Sequence, residues 1–210
     1  KKSARNPSEI TLLAVTKVAD GLRIKEASAL GLRDFGENRV QDALKRSELY
    51  SSLGNIKLHF IGHLQRNKAK DAVKLFSLIH SIDSGSILNE VNKEAEKAGK
   101  IQDVLVEVNT SAERSKFGLN PDELENFLKS VSYLKFVSIK GLMTVAPLVL
   151  DKEKARPYFR KLKDLFEKTK GLNLKNMDFK YLSMGMSQDF EVAIEEGANI
   201  IRIGTALFND

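Results

Sequence analysis

A lysine closes the first strand-forming run of the chain, ITLLAVTK, residues 10–17. Partly desolvated at the mouth of a site, such an amine shifts toward its neutral form, and only a neutral amine attacks a carbonyl to make a Schiff base. The alternative is a solvated strand end, the ordinary place of lysine in a basic chain. A second group of residues lies in IRIGTALF, 201–208. Gly204 would let backbone approach a ligand closely, and Thr205 offers an N–H and a hydroxyl to an anion; glycine with threonine at a strand-to-helix junction is a phosphate-site pattern, with a plain tight turn as the alternative. The preceding loop, LSMGMSQDFEVAIEEG (182–197), lets Ser187 cap the helix that follows and turn its N–H groups to a phosphate. That loop does not satisfy G-x-S-x-G, so it is no hydrolase elbow. Arg202 is an internal strand residue, where an unpaired charge is expensive, so a dedicated partner or ligand is expected. An amine beside two anion-binding turns suggests a phosphorylated carbonyl ligand.

Eight runs rich in Val, Ile, Leu and Phe supply the strands that would position these groups: 10–17, 32–37, 57–62, 77–83, 103–109, 135–143, 179–185 and 198–204. Between them, apolar residues recur at helical spacing near 22–30, 38–50, 66–76, 85–99, 121–131, 151–170 and 187–196. Asn120 and Pro121 start one of these helices, and Gly99, Gly171 and Gly197 stand where others should stop. Strict alternation argues for a parallel sheet covered by helices, closed as one (β/α)8 TIM barrel spanning 1–210 as a single domain. A doubly wound open sheet is the alternative, but its G-x-G-x-x-G fingerprint is missing after the first strand. Barrels place their chemistry at the C-terminal ends of the strands. Those ends collect Lys17, Glu37, Asn38, Gly62, His63, Asp83, Ser84, Asn109, Met143, Thr144, Gly185–Ser187, Gly204 and Thr205.

Composition narrows the function further. The chain has 42% hydrophobic and 30% charged residues, and no run nears the roughly 18 apolar residues of a membrane span. With no cysteine, disulfides, thiolate metal sites and cysteine nucleophiles are excluded, which fits a reducing compartment; no apolar leader opens the chain, and a cytoplasmic location is expected. The missing initiator methionine suggests that the true N-terminus lies upstream. His59, His63 and His80 lack metal-ligand spacing, so no metal is expected. The net charge of +6 includes the clusters at 66–74 and 152–163, which read as solvated helix faces and not as a nucleic-acid surface.

The segments LLAVTK, FGENRVQ, HFIGHLQRNK, IHSIDS, VEVNTSAERSKFGL, GLMTVAP and LSMGMSQDFEVAIEEGANIIRIGTALF, in this order from about residue 7 to 208, resemble the pyridoxal phosphate homeostasis protein family. The resemblance implies a barrel similar to the N-terminal domain of alanine racemase (fold type III), holding pyridoxal 5′-phosphate (PLP) as an internal aldimine on Lys17. It also implies Arg202 facing the pyridine nitrogen, where a charged arginine disfavours ring protonation and weakens the cofactor as an electron sink. Ser187, Gly204 and Thr205 match phosphate-binding positions, Ser183, Met184, Gly185 and Met186 shape their loop, and Asn38 and Met143 fall near the ring. The chain departs from the family in three ways: the helix usual before the first strand is missing or truncated, Leu58 stands where an aromatic is common, and the chain stops at FND.

A PLP racemase needs acid–base groups on both faces of the ligand. None of Tyr50, Tyr133, Tyr158 and Tyr181 falls at an expected rim, and nothing corresponds to a racemase's second domain. The family is regarded as non-enzymatic, so the first expectation is a PLP carrier or regulator in vitamin B6 homeostasis with no catalytic residue. The partners implied are PLP, other B6 vitamers and PLP-dependent apo-enzymes, with no nucleic acid and no membrane, around a monomer or weak dimer. The alternative is a minimal PLP-dependent amino-acid racemase or lyase with a residue such as His63 as the missing base; a PLP-free Schiff-base aldolase is a third reading.

Overall fold

The computed structural model describes residues 3, 5–113 and 116–208; Arg114 and Ser115 of the VEVNTSAERSKFGL segment and the final Asn209 and Asp210 lie outside the described residues. All eight expected strands form: β1 Thr11–Val15, β2 Asp34–Glu37, β3 Lys57–Phe60, β4 Leu78–Ile82, β5 Gln102–Glu107, β6 Val137–Met143, β7 Met177–Ser183 and β8 Ile200–Ile203. They are hydrogen-bonded in chain order and β8 returns to β1 in parallel, so the sheet is a closed barrel without edges. Because every strand runs the same way, their C-terminal ends share one rim, as expected.

Helices among the described residues are α1 Gly21–Ala29, α2 Val40–Lys45, α3 Ser47–Ser52, α4 Ala69–Leu75, α5 Gly85–Lys97, α6 Leu124–Ser130, α7 Arg156–Lys170, α8 Phe190–Glu195 and α9 Thr205–Phe208. Side chains cap several starts: Asp20 accepts from the Arg23 N–H at 2.9 Å, and Asn120 from the Asp122 N–H at 3.0 Å ahead of Pro121. The single helix expected over 38–50 is broken at Arg46, whose backbone leaves the helical region as its side chain turns into the protein. The short α9 was not apparent in the sequence; its four residues follow directly on Gly204.

Most buried apolar residues pack between the sheet and its helices, α7 contributing Phe159, Leu162 and Phe166 at i, i+3 and i+7. A second, smaller cluster of Leu13, Leu78, Leu105, Met143 and Ile200, drawn from five strands, fills the barrel interior. No helix among the described residues is long and apolar enough to cross a membrane.

Candidate functional site

β1 stops at Val15, and residues 16–18 make one 3-10 turn at the rim that carries Lys17. The turn is tied down from below. Buried Thr16 Oγ1 lies 3.1 Å from the Gly36 carbonyl oxygen and 3.0 Å from the Tyr50 hydroxyl. Tyr50 donates to Glu37 Oε1 at 2.6 Å, and Arg46 donates to Glu37 Oε1 at 2.8 Å and to the carbonyls of Thr16 and Ala19 at 3.0 Å. Burial, then the Glu37 carboxylate, hold the Tyr50 phenol above its ordinary value. Tyr50 thus reaches the underside of the rim from α3, against the expectation that no tyrosine would, but it is fully engaged there and does not line the cavity above. Lys17 itself is exposed on the cavity wall. The expected burial of its side chain is not found, because the strand ends two residues earlier and the turn lifts Lys17 clear of the barrel packing.

Arg202, on β8, is almost fully buried. Its Nη1 donates to the Ser183 carbonyl and to Ser183 Oγ, both at 2.8 Å, and its Nη2 to the Thr144 carbonyl at 2.8 Å. No carboxylate among the described residues lies within ion-pair distance of it, and burial lowers its pKa to about 10, opposed by the Glu107 and Asp189 carboxylates, so the guanidinium is charged at neutral pH. Behind Ser183 the polar contacts continue: His80 Nδ1 lies 2.9 Å from Ser183 Oγ, His59 Nδ1 3.0 Å from His80 Nε2, and Asp34 Oδ1 3.1 Å from His59 Nε2.

Lys17, Asn38, Ser187, Arg202, Gly204 and Thr205 line one cavity of about 820 Å³, within the range of small-molecule sites. The β1–β8 register, Ala14 beside Ile203, sets Gly204 against the end of β1, where a side-chain Cβ would come 3.1 Å from the Val15 carbonyl oxygen. Glycine there serves the packing of the two strand ends and brings Thr205 beside the Lys17 turn. Across the mouth, a Cβ on Gly62 would sit 2.0 Å from the Asn38 carbonyl oxygen, so only glycine lets the β3 exit pass beneath Asn38. The Asn38 side-chain oxygen is buried with no hydrogen-bond partner among the described residues.

Three expectations are corrected. Ser187 does not cap α8, whose start has no side-chain cap; Asp189 accepts from the Met186 N–H within the loop, and Ser187 Oγ accepts from the Ala206 N–H at 3.4 Å, joining its loop to α9. Met143 belongs to the packed barrel interior and does not line the cavity, since β6 delivers its last residue below the rim. Ser183 is likewise beneath the wall, with its side chain spent on His80 and Arg202. Of the loop residues 184–186, Met186 reaches the cavity and Met184 is buried in the outer core. His63 lines a neighbouring cavity, stacked on Phe117 at 3.9 Å and 3.3 Å from Asp83 Oδ2. On the β5 side, burial together with Asp83 pushes the Glu107 carboxyl up to about 7, and Arg202 opposes the shift.

The closed barrel agrees with what comparison with known proteins finds. The alanine racemase N-terminal domain family matches residues 1–210. A pyridoxal phosphate homeostasis protein of Aquifex aeolicus is 42% identical over 210 residues, covering 100% of this chain and 91% of the relative. The chain belongs to the pyridoxal phosphate homeostasis protein family. Another member of the family, from Synechocystis, is 38% identical over 97% of this chain and 93% of its own length. Among solved structures, PipY of Synechococcus elongatus PCC7942 with PLP bound superimposes with a TM-score of 0.89 at 36% identity, over 99% of this chain and 96% of PipY. An alanine racemase of Clostridium difficile, 14% identical with a TM-score of 0.77 over 96% of this chain and 52% of the racemase, shares the fold. The homeostasis family relatives are named for homeostasis and not for a reaction.

Proposed function

We propose that this chain binds PLP in the cavity beneath Lys17 and works in intracellular PLP homeostasis, holding the cofactor and releasing it without turning over a substrate. The observation that carries the reading is the convergence on one cavity wall of an exposed lysine, a buried guanidinium without a carboxylate partner, and the Ser187 and Gly204–Thr205 loops. Bound there, PLP would supply an aldehyde for a reversible Schiff base with an amine. Lys17 provides that amine from a turn fixed by Glu37, Arg46 and Tyr50. Arg202 presents its charge to the ring nitrogen, Ser187, Gly204 and Thr205 receive the phosphate, and Asn38 offers its unpartnered amide oxygen beside the ring. Met143 and Ser183 support the site from below.

Against the racemase or lyase alternative, the residue that would serve as the second base, His63, lines the adjoining cavity. The charged Arg202 also keeps a ring nitrogen unprotonated, which suits storage better than carbanion chemistry. A carrier of this kind would serve PLP-dependent apo-enzymes and exchange other B6 vitamers as a monomer or weak dimer, and the cysteine-free composition supports a cytoplasmic setting.

The test is the visible absorbance of purified protein with added PLP, before and after borohydride, beside Lys17→Ala. A band in the parent that borohydride fixes on Lys17, absent from the variant, is the expected result. A band that survives in the variant would move the linkage to another lysine, and turnover of any amino acid across a broad panel would favour the enzyme.

A further inference from the structure

The five polar side chains from Arg202 to Asp34 form one continuous chain of contacts. Both hydrogens on Arg202 Nη1 are committed to Ser183, one to its carbonyl and one to Oγ. Ser183 Oγ is therefore an acceptor toward Arg202, and among the described residues its own hydrogen can be directed to His80 Nδ1 at 2.9 Å. His80 is fully buried, and burial, with His59 and Arg202 close by, holds it well below its ordinary pKa, so the ring is neutral. With Nδ1 accepting, its proton sits on Nε2 and is donated to His59 Nδ1 at 3.0 Å. His59 then carries its proton on Nε2 and donates it to Asp34 Oδ1 at 3.1 Å. Every donor points the same way, from the cavity to a carboxylate at the opposite end of the barrel, where Asp34 opens β2.

We propose that Ser183, His80, His59 and Asp34 form a one-way hydrogen-bond relay that positions the Arg202 guanidinium toward the cofactor's ring nitrogen while leaving its charge unpaired. The purpose of the relay rests on the PLP reading above; its polarity does not. A direct carboxylate partner would fix Arg202 equally well but would neutralise the charge that the ligand is to meet. A hydroxyl and two imidazoles between Arg202 and Asp34 supply the orientation, and alignment of the donors strengthens each bond in turn. The relay is also closed to proton transfer, because its first donor is a guanidinium that keeps its proton at neutral pH. His59 and His80 are positioning residues and not acid–base groups.

The experiment has two arms on the full chain. In the first, protein labelled with 15N at histidine and without added PLP is examined by two-bond 1H–15N correlation at neutral pH. Both interior rings are expected as neutral Nε2–H tautomers. A proton on Nδ1 of His80, or a charged His80, overturns the relay. Asp34→Asn, which keeps an acceptor for His59, should preserve the pattern, and Asp34→Leu should mix the tautomers. In the second, PLP is titrated into the parent and Ser183→Ala. The variant should bind about tenfold more weakly, the effect of one lost hydrogen bond to a charged group, with Lys17 still labelled by borohydride at saturation. Equal binding by the two proteins overturns the positioning role. A parent that binds no PLP removes the proposed purpose with the cofactor reading, and the tautomers separate that failure from a failure of the relay itself.

Discussion

Two buried polar networks underlie the cavity, and they are built on opposite principles. Beneath Lys17, the Glu37 carboxylate is paired directly with the Arg46 guanidinium and the Tyr50 hydroxyl, and Arg46 also holds two backbone carbonyls. Behind Arg202, the contacts are a hydroxyl and two carbonyls, and the only carboxylate of that network lies beyond two imidazoles. The first network fixes a backbone turn, and the amine that does the chemistry stands outside it, so a closed ion pair costs the site nothing. The second fixes a charge that is itself to be used, so the group that holds it must not cancel it. What distinguishes them is whether the functional atom is inside or outside the network.

Glu107 offers the largest way to break this comparison, because it is the carboxyl nearest in influence to Arg202 and its protonation decides how far that charge is compensated. Its folded-state pKa of about 7 lies above its ordinary 4.5, so its contribution to stability is complete below pH 4.5 and is lost as pH rises through about 7. The whole effect is about 3 kcal/mol. Urea unfolding near pH 5 and near pH 8 should show the parent losing stability across that interval and Glu107→Gln losing much less. A parent with no decline would mean that Glu107 is ionised in the fold and pairs with the arginine after all.

Glu37→Ala tests the other network. Removing the shared acceptor leaves the buried Tyr50 hydroxyl with Thr16 Oγ1 as its remaining partner, while the partly exposed Arg46 regains water, so a loss of about 2 kcal/mol is expected in denaturant melts. Borohydride labelling of Lys17 should slow as its turn loosens; unchanged labelling would show that the turn holds without its clamp. The smallest effect is expected from Arg202→Lys, which keeps the charge and gives up the planar fork. PLP binding should weaken by about tenfold. If the lysine variant bound equally well, charge alone, without orientation, would be what the site requires.

Much of this was legible in the chain. Lys17, Gly204 and Thr205 stand at ends of apolar runs, and Arg202 is a charge inside one, so strand ends in a parallel barrel were enough to bring them together. Asn38 follows from the same logic. The Glu37–Arg46–Tyr50 clamp was not legible, because Arg46 and Tyr50 fall within a run of helical spacing, where an arginine reads as a solvated face. Their role emerges only when the helix breaks at Arg46. Met143 and Ser183 sit at the ends of their own strands, but the stagger of β6 and β7 leaves them below the wall. His59 and His80 were visible as strand histidines without metal spacing; nothing local indicated that β3 and β4 would set them ring to ring.

Sequence alone determined the number and order of the strands, their parallel closure and the residues offered at the rim, because these depend on local hydrophobic period and on the short range of turn and cap preferences. The tertiary structure decided which side chains meet: the clamp under Lys17, the direction of donors behind Arg202, the isolation of Glu107 and the displacement of His63 into its own cavity. Those outcomes depend on the stagger between neighbouring strands and on the depth at which each strand ends. Both are set by packing across the closed barrel, among residues far apart in the chain.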